Sequence, residues 1–201
     1  QHREAGGASG LIGAGVIGIA TALELAERGI DVVVIEKGEV AAEQSSRNWG
    51  WCRQMGRDAR EIPLVLESLR LWRGMAARIG GETGWTQCGI AYLSETAEQL
   101  ANREIWHRTH AVPHGLDTRM LRSEEIAQLV PGAAKAWAGG MYTSEDGRAE
   151  PFIAVPAMAR AVQAKGGKVF TRCAARGLET EGGWVCYKKK KKGTIKTDTV
   201  V

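Results

Sequence analysis

A chain of 201 residues, 44 % hydrophobic and 25 % charged, has enough apolar material for one good core or two small ones, which excludes whole-chain disorder. The formal charge of +4 and the pI near 9.0 raise a nucleic-acid hypothesis, but five of the 27 basic residues form one run, Lys188–Lys192, and the other 22 face 23 acidic residues. The basicity is local and no aromatic platform interleaves it, so nucleic-acid binding is not expected; the run reads as a solvated hairpin tip or edge.

In chain order, the glycine cluster ending at Gly18 is followed by "IATALELAERG", with apolar residues at Ile19, Leu23 and Ala26 and a glycine stop at Gly29, as in a short helix. "DVVVIEK" then reads as a β-branched strand buried on both faces of a parallel sheet. With "GLI" ending a first strand, the unit is βαβ; "EAGGAS" before it is a poor strand former, so that strand is expected to be short. Apolar residues at 62, 65, 66, 69, 72, 76 and 79 predict a helix over Ile62–Ile79, with Pro63 in its first turn and Gly80-Gly81 closing it.

"WTQCGIAYLSET" reads as a strand and "AEQLANREIWHRTHA" as a polar helix. In "LRSEEIAQLVP", Ser123 is the expected cap of a short helix with Glu124 and Glu125 in its first turn and Pro131 at its end. "AKAWAGGMYTSEDGRAEP" is turn-rich and predicts a hairpin or strand pair, with "SEDG" as its turn. "PFIAVPAMARAVQAKGG" predicts a helix, followed by the strands "KVFTRCAA", "GGWVCYK" and "TIKTDTVV". This order suggests one nucleotide-binding layer with a second, β-containing domain inserted over roughly Trp85 to Glu150.

The four cysteines, Cys52, Cys88, Cys173 and Cys186, form no C-x-x-C pair, which disfavours a zinc knuckle or thioredoxin-like motif. With no signal peptide in the first residues and Glu24, Glu27 and Arg28 interrupting the apolar stretch from Leu11, a cytoplasmic, thiol-reducing setting is the expectation. His107, His110 and His114 have metal-like spacing, but Pro113 breaks the helix before His114, and a solvated cluster is expected instead. No nucleophile motif such as G-x-S-x-G occurs, so hydrolase chemistry has no support.

The chemistry is signalled by "GAGVIG". Gly13, Gly15 and Gly18 fill G-x-G-x-x-G at the junction of a strand and a helix, where they permit a tight turn, approach of a pyrophosphate and close helix packing. Glu36 ends the second strand, where a carboxylate accepts hydrogen bonds from an adenosine ribose and disfavours a 2′-phosphate. NADP is therefore the least suited dinucleotide, and NAD and FAD both remain. About ten residues on, "SSRNWGWCRQ" supplies hydroxyls (Ser45, Ser46), a cation (Arg47), an amide (Asn48) and a glycine (Gly50), which suit a pyrophosphate or a flat ring.

"IGAGVIGIATALELAERGIDVVVIEK" followed by "SSRNWGWCRQMGRD" resembles the N-terminal FAD-binding part of the D-amino-acid oxidase and glycine oxidase superfamily. "EDGRAEPFIAVPAMARAVQAKGGKVFTRCAARGLE" is similar to that family's return from the substrate domain into the FAD domain. The resemblance implies an α/β fold: a Rossmann-like FAD-binding domain with a glutathione-reductase-type βαβ start and an inserted mixed α+β substrate domain. Residues 1–84 and 151–201 would form FAD-binding parts and 85–150 a portion of the substrate domain, with the family continuing past the position of Val201.

It further implies FAD held by Gly13, Gly15, Val16, Ile17, Gly18, Glu36, Lys37, Ser45, Ser46, Arg47, Asn48, Trp49, Gly50 and, through a strand backbone, Ala175, with Trp51 toward the substrate. The activity implied is oxidation of the C–N bond of an amino acid or related amine, by hydride transfer to flavin N5 to give an imine, with oxygen or a quinone as acceptor. A homo-oligomer or second chain completing the site is compatible with it. The alternatives are an NAD-dependent dehydrogenase and a non-catalytic FAD-binding or electron-transfer subunit.

Overall fold

The computed structural model of the chain describes residues 8–133, 135–181, 184–189 and 193–201. In chain order the first elements are β1 (Ser9–Ile12), α1 (Val16–Glu27), β2 (Val32–Ile35), β3 (Trp51–Cys52) and α2 (Ile62–Ile79). Next come β4 (Ile90–Ser94), α3 (Ala97–Trp106), β5 (Thr118–Leu121), α4 (Ser123–Leu129), β6 (Gly139–Thr143) and β7 (Gly147–Arg148). The chain closes with α5 (Pro151–Ala164), β8 (Lys168–Phe170), β9 (Ala175–Glu181), β10 (Trp184–Lys189), β11 (Gly193–Thr197) and β12 (Thr199–Val200). It divides into two compact units: unit 1 is Gln1–Trp49, Met75–Gly84 and Glu150–Val201, and unit 2 is Gly50–Gly74 and Trp85–Ala149.

Unit 1 carries a parallel sheet in the order β12-β1-β2-β8, with Ser9 opposite Val32 and Ile12 opposite Ile35. All four residues of β2 are buried, the burial on both faces that its β-branched run predicts. Leu11, Ile19, Ala22, Leu23 and Val34 form core around α1, which packs on α5. The buried face of α5 includes Ala154, Ala157 and Ala161, small side chains suited to close approach. On the other side of β2, Val33 and Ile35 meet Cys173, Ala175, Ile195 and Val200. β9, β10 and β11 form an antiparallel meander. Residues 190–192 of the lysine run lie outside the described residues, as does "EAGG" in the weak stretch before β1.

Unit 2 carries the antiparallel sheet β4-β6-β5, with Tyr92 opposite Met141 and Thr118 opposite Thr143, and a two-residue pair, β3 with β7. Thr96 caps α3 by accepting from the Gln99 N–H (3.2 Å), and a π turn, His107–Ala111, extends that helix to the predicted end. Ile62, Ala111 and Leu116 form a small core with Leu66 and Trp106, and Trp72 stacks on Trp85 at 6.5 Å. No helix among the described residues is long and apolar enough to cross a membrane.

Several local expectations change. α2 has the predicted bounds, but Met75 is buried where Ala76 was expected. The strand expected over 85–96 is confined to Ile90–Ser94, preceded by a single bridge from Thr86 to Arg148. β6 and β7 do not pair with each other, because each finds a partner distant in sequence. Ser123 is the first residue of α4 and not its cap; Glu125 reaches back to accept from the Arg122 N–H at 2.9 Å. The strand read in "KVFTRCAA" ends at Phe170, where Arg172 takes φ 50° and turns the chain.

Candidate functional site

The glycine turn lies between β1 and α1. Gly13 has φ 106°, a conformation an L side chain rarely adopts, and its N–H donates to Ile35 O at 2.8 Å. A Cβ on Gly18 would sit 2.1 Å from Gly13 O, so only glycine lets the helix lie this close to the turn. A Cβ on Gly15 would sit 2.9 Å from Ser45 Oγ. That hydroxyl accepts from the Val16 N–H at 2.8 Å, satisfying one of the four N–H groups that the start of a helix leaves over. Ser45 therefore joins the turn by a bond spanning 29 residues. Its proximity to Glu36 in the sequence gives no hint of that contact.

Glu36, 8 % exposed, follows β2 directly. Its Oε2 accepts from the Ala14 N–H at 2.8 Å and its Oε1 from the Gly38 N–H at 2.7 Å. A carboxylate has about four lone-pair directions, so two bonds leave acceptor capacity for the hydroxyls of a ribose. The return segment after α5 reaches the same place: Glu36 N–H donates to Phe170 O (2.8 Å), Cys173 N–H to Glu36 O (2.7 Å) and Arg172 N–H to Gly38 O (2.8 Å). The Arg172 guanidinium also bonds Glu39 at 2.6 Å. Only the positive φ of Arg172 gives this turn away, and no residue pattern announces it. Ala175 follows, half-buried against Val33 and Ile35 and opposite Lys189.

The loop from Glu43 to Trp49 is pinned internally. Ser46 N–H and Oγ both donate to Glu43 O at 3.1 Å, and Asn48 Nδ2 donates to Gln44 O (2.9 Å) and Ser45 O (3.1 Å). Lys37 Nζ lies 3.4 Å from Glu43 Oε1, and the Arg47 guanidinium 3.0 Å from Glu43 Oε2. Ile12 and Ile17 flank the glycine turn 45 % and 78 % exposed, and Trp49 is 78 % exposed. Unit 1 thus gathers a glycine turn, helix N–H groups, a buried carboxylate, two cations and exposed apolar residues. Diphosphate, ribose hydroxyls and a flat ring are the ligand groups these suit, so the residues present fit FAD.

Gly50 and Trp51 belong to unit 2. Gly50 O accepts from the Ala149 N–H at 2.9 Å, and Trp51 pairs with Arg148 while the Arg53 guanidinium lies 5.9 Å from its ring centroid. Fully buried Asp146 accepts there from the Gln54 N–H (2.7 Å) and the Met55 N–H (3.3 Å). Burial pushes its carboxyl up from 3.8 to about 6 against the pull of those bonds, and pushes the Cys52 thiol up to about 11. "SEDG" reads as a turn in the sequence, and the staple Asp146 makes across 92 residues is not visible there. His107 Nε2 lies 2.8 Å from Thr118 O, His114 Nδ1 lies 2.8 Å from His110 O, and His110 meets Trp106 edge-on.

Residues 11–201 match the family described as "FAD dependent oxidoreductase" (DAO). The chain is 31 % identical over 160 residues to the glycine oxidase of Geobacillus kaustophilus, covering 76 % of this chain and 41 % of that protein. Among solved structures, the L-amino acid deaminase from Proteus vulgaris superposes with a TM-score of 0.88 at 33 % identity, over 96 % of this chain and 46 % of that one. The glycine oxidase structure from Geobacillus kaustophilus gives 0.88 at 26 % identity, over 96 % and 53 %. The chain spans about half the length of these relatives or less.

Proposed function

The chain belongs to the FAD-dependent oxidoreductase family, and we propose that it forms the cofactor-binding part of an enzyme that oxidises the C–N bond of an amino acid or related amine. The relatives named glycine oxidase and L-amino acid deaminase support that substrate class. The observation that carries the reading is Glu36, held by the glycine turn through the Ala14 N–H while keeping acceptor capacity for a ribose.

In this reading Gly13, Gly15, Val16, Ile17 and Gly18 present backbone to the diphosphate, and Ser45, Ser46, Lys37 and Arg47 add hydroxyls and positive charge. Glu36 takes the ribose hydroxyls, and the turn at Arg172 leading to Ala175 borders the adenosine. Asn48 keeps the loop closed, while Trp49, Gly50 and Trp51 serve the flat ring and the substrate. Residues 1–84 and 151–201 are assigned to FAD binding, and 85–150 to a portion of the substrate domain. When bound, FAD would supply the redox chemistry, serving as the two-electron acceptor for a hydride from the carbon that bears the nitrogen while the nitrogen gives up a proton, which would leave an imine for hydrolysis. The protein's share is to bind, orient and exclude water.

The test is anaerobic mixing of the purified full-length protein with amino acids and secondary amines. At least one is expected to bleach the visible flavin band and release ammonia or a smaller amine. A flavin reduced by a hydroxy compound and by no amine would overturn the assignment.

A further inference from the structure

Glu43 is absent from the residues the sequence assigns to cofactor contact, yet three of those residues converge on it. Its two carboxylate oxygens are divided between Lys37 Nζ (3.4 Å) and the Arg47 guanidinium (3.0 Å), and its main-chain oxygen accepts both the N–H and the hydroxyl of Ser46. The loop that follows is anchored to the start of α1 by the bond from Val16 N–H to Ser45 Oγ. An ammonium has three donors and a guanidinium five, so contacts to Glu43 leave both cations with donors to offer another anion. Long cationic side chains lose considerable rotamer freedom when they are ordered, and two like charges repel; one carboxylate between them offsets both costs before a ligand arrives.

We propose that Glu43 is a positioning residue: it holds Lys37 and Arg47 together beside the glycine turn, so that both meet the diphosphate of FAD already ordered. The inference rests on the FAD reading above. Its contribution falls with added salt, because these side chains are 52 % to 68 % exposed and their attraction is screened.

The test is titration of flavin-stripped full-length protein with FAD, followed by flavin fluorescence, for wild type, Glu43→Gln, Arg47→Ala with Lys37→Ala, and the triple variant. Glu43→Gln leaves the main-chain bonds to Ser46 intact, and its apoprotein is expected to melt within about 3 °C of wild type. At low salt its FAD dissociation constant rises about fivefold, the scale of two exposed ion pairs, and the increase shrinks at high salt. In the background lacking both cations, Glu43→Gln has no further effect. An unchanged or tighter dissociation constant, or the same loss with and without the cations, would overturn the inference while leaving the FAD reading standing. A wild-type protein that binds no FAD removes both.

Discussion

Glu36 in unit 1 and Asp146 in unit 2 are the two buried carboxylates among the described residues, and each accepts from two backbone N–H groups. Their surroundings differ. Glu36 bonds the glycine turn, next to exposed Ile12 and Ile17 and within a segment that gathers two cations, whereas Asp146 bonds Gln54 and Met55, both fully buried. Burial of a carboxylate therefore does not by itself mark a ligand site. What separates the two is whether the bonded backbone leads to an open, helix-capped turn or into closed core.

The largest effect that would sharpen this contrast comes from Gly18→Val. A side chain whose Cβ falls 2.1 Å from Gly13 O must push α1 off the turn, costing about 3 kcal/mol in urea unfolding, and the protein is expected to lose its FAD. Close behind is the pH dependence set by Asp146. Its folded-state carboxyl, at about 6, lies above the ordinary 3.8, so its stabilising share is complete below the ordinary value and is lost as pH rises through 6. Thermal unfolding should show wild type losing about 2 kcal/mol between pH 4 and 6.5 relative to Asp146→Asn, with FAD content equal in both. Equal slopes would mean that the Asp146 carboxyl titrates in the folded protein as it does in the unfolded chain.

Glu36→Gln replaces one acceptor oxygen by a donor, and FAD affinity is expected to fall about tenfold, roughly 1.4 kcal/mol, in a fluorescence titration. Loss of stability without loss of affinity would make Glu36 a staple like Asp146 and erase the contrast. The smallest effect is that of Arg78→Ala. Arg78 bonds Glu24 (2.7 Å) and Glu27 (2.5 Å), and chiefly through that hydrogen bond Glu27 is held below the ordinary 4.5. The sign is opposite to that of Asp146. About 1 kcal/mol of stability, present above pH 4.5, vanishes as the solution is acidified, and the difference between Arg78→Ala and wild type in urea should close there.

What the sequence made legible follows from the range of the interactions. The β1-α1-β2 unit was readable because its signals are local: the glycine spacing, the apolar period of α1, the β-branched run of β2 and a carboxylate at its end. α2 was readable to the residue, since Pro63 and Gly80 punctuate an amphipathic period. β3 was not, and β7 was readable only as one arm of a hairpin, because a two-residue strand has no periodicity and takes its place by pairing across the chain. Asp146 reads as a turn residue in the sequence for the same reason, since both its N–H partners lie more than 90 residues away. In the site, the residue types of the loop at Ser45 were legible, whereas the Ser45 contact to α1, the turn at Arg172 and the convergence on Glu43 required coordinates.

The most direct test of the central claim is the FAD content of the purified full-length protein, read from its visible spectrum and from the flavin released on denaturation, for wild type, Gly18→Val and Asp146→Asn. Wild type and Asp146→Asn are expected to carry equimolar FAD and Gly18→Val none. A colourless wild type, or a Gly18→Val protein as yellow as wild type, would contradict the assignment of the glycine turn and Glu36 to FAD.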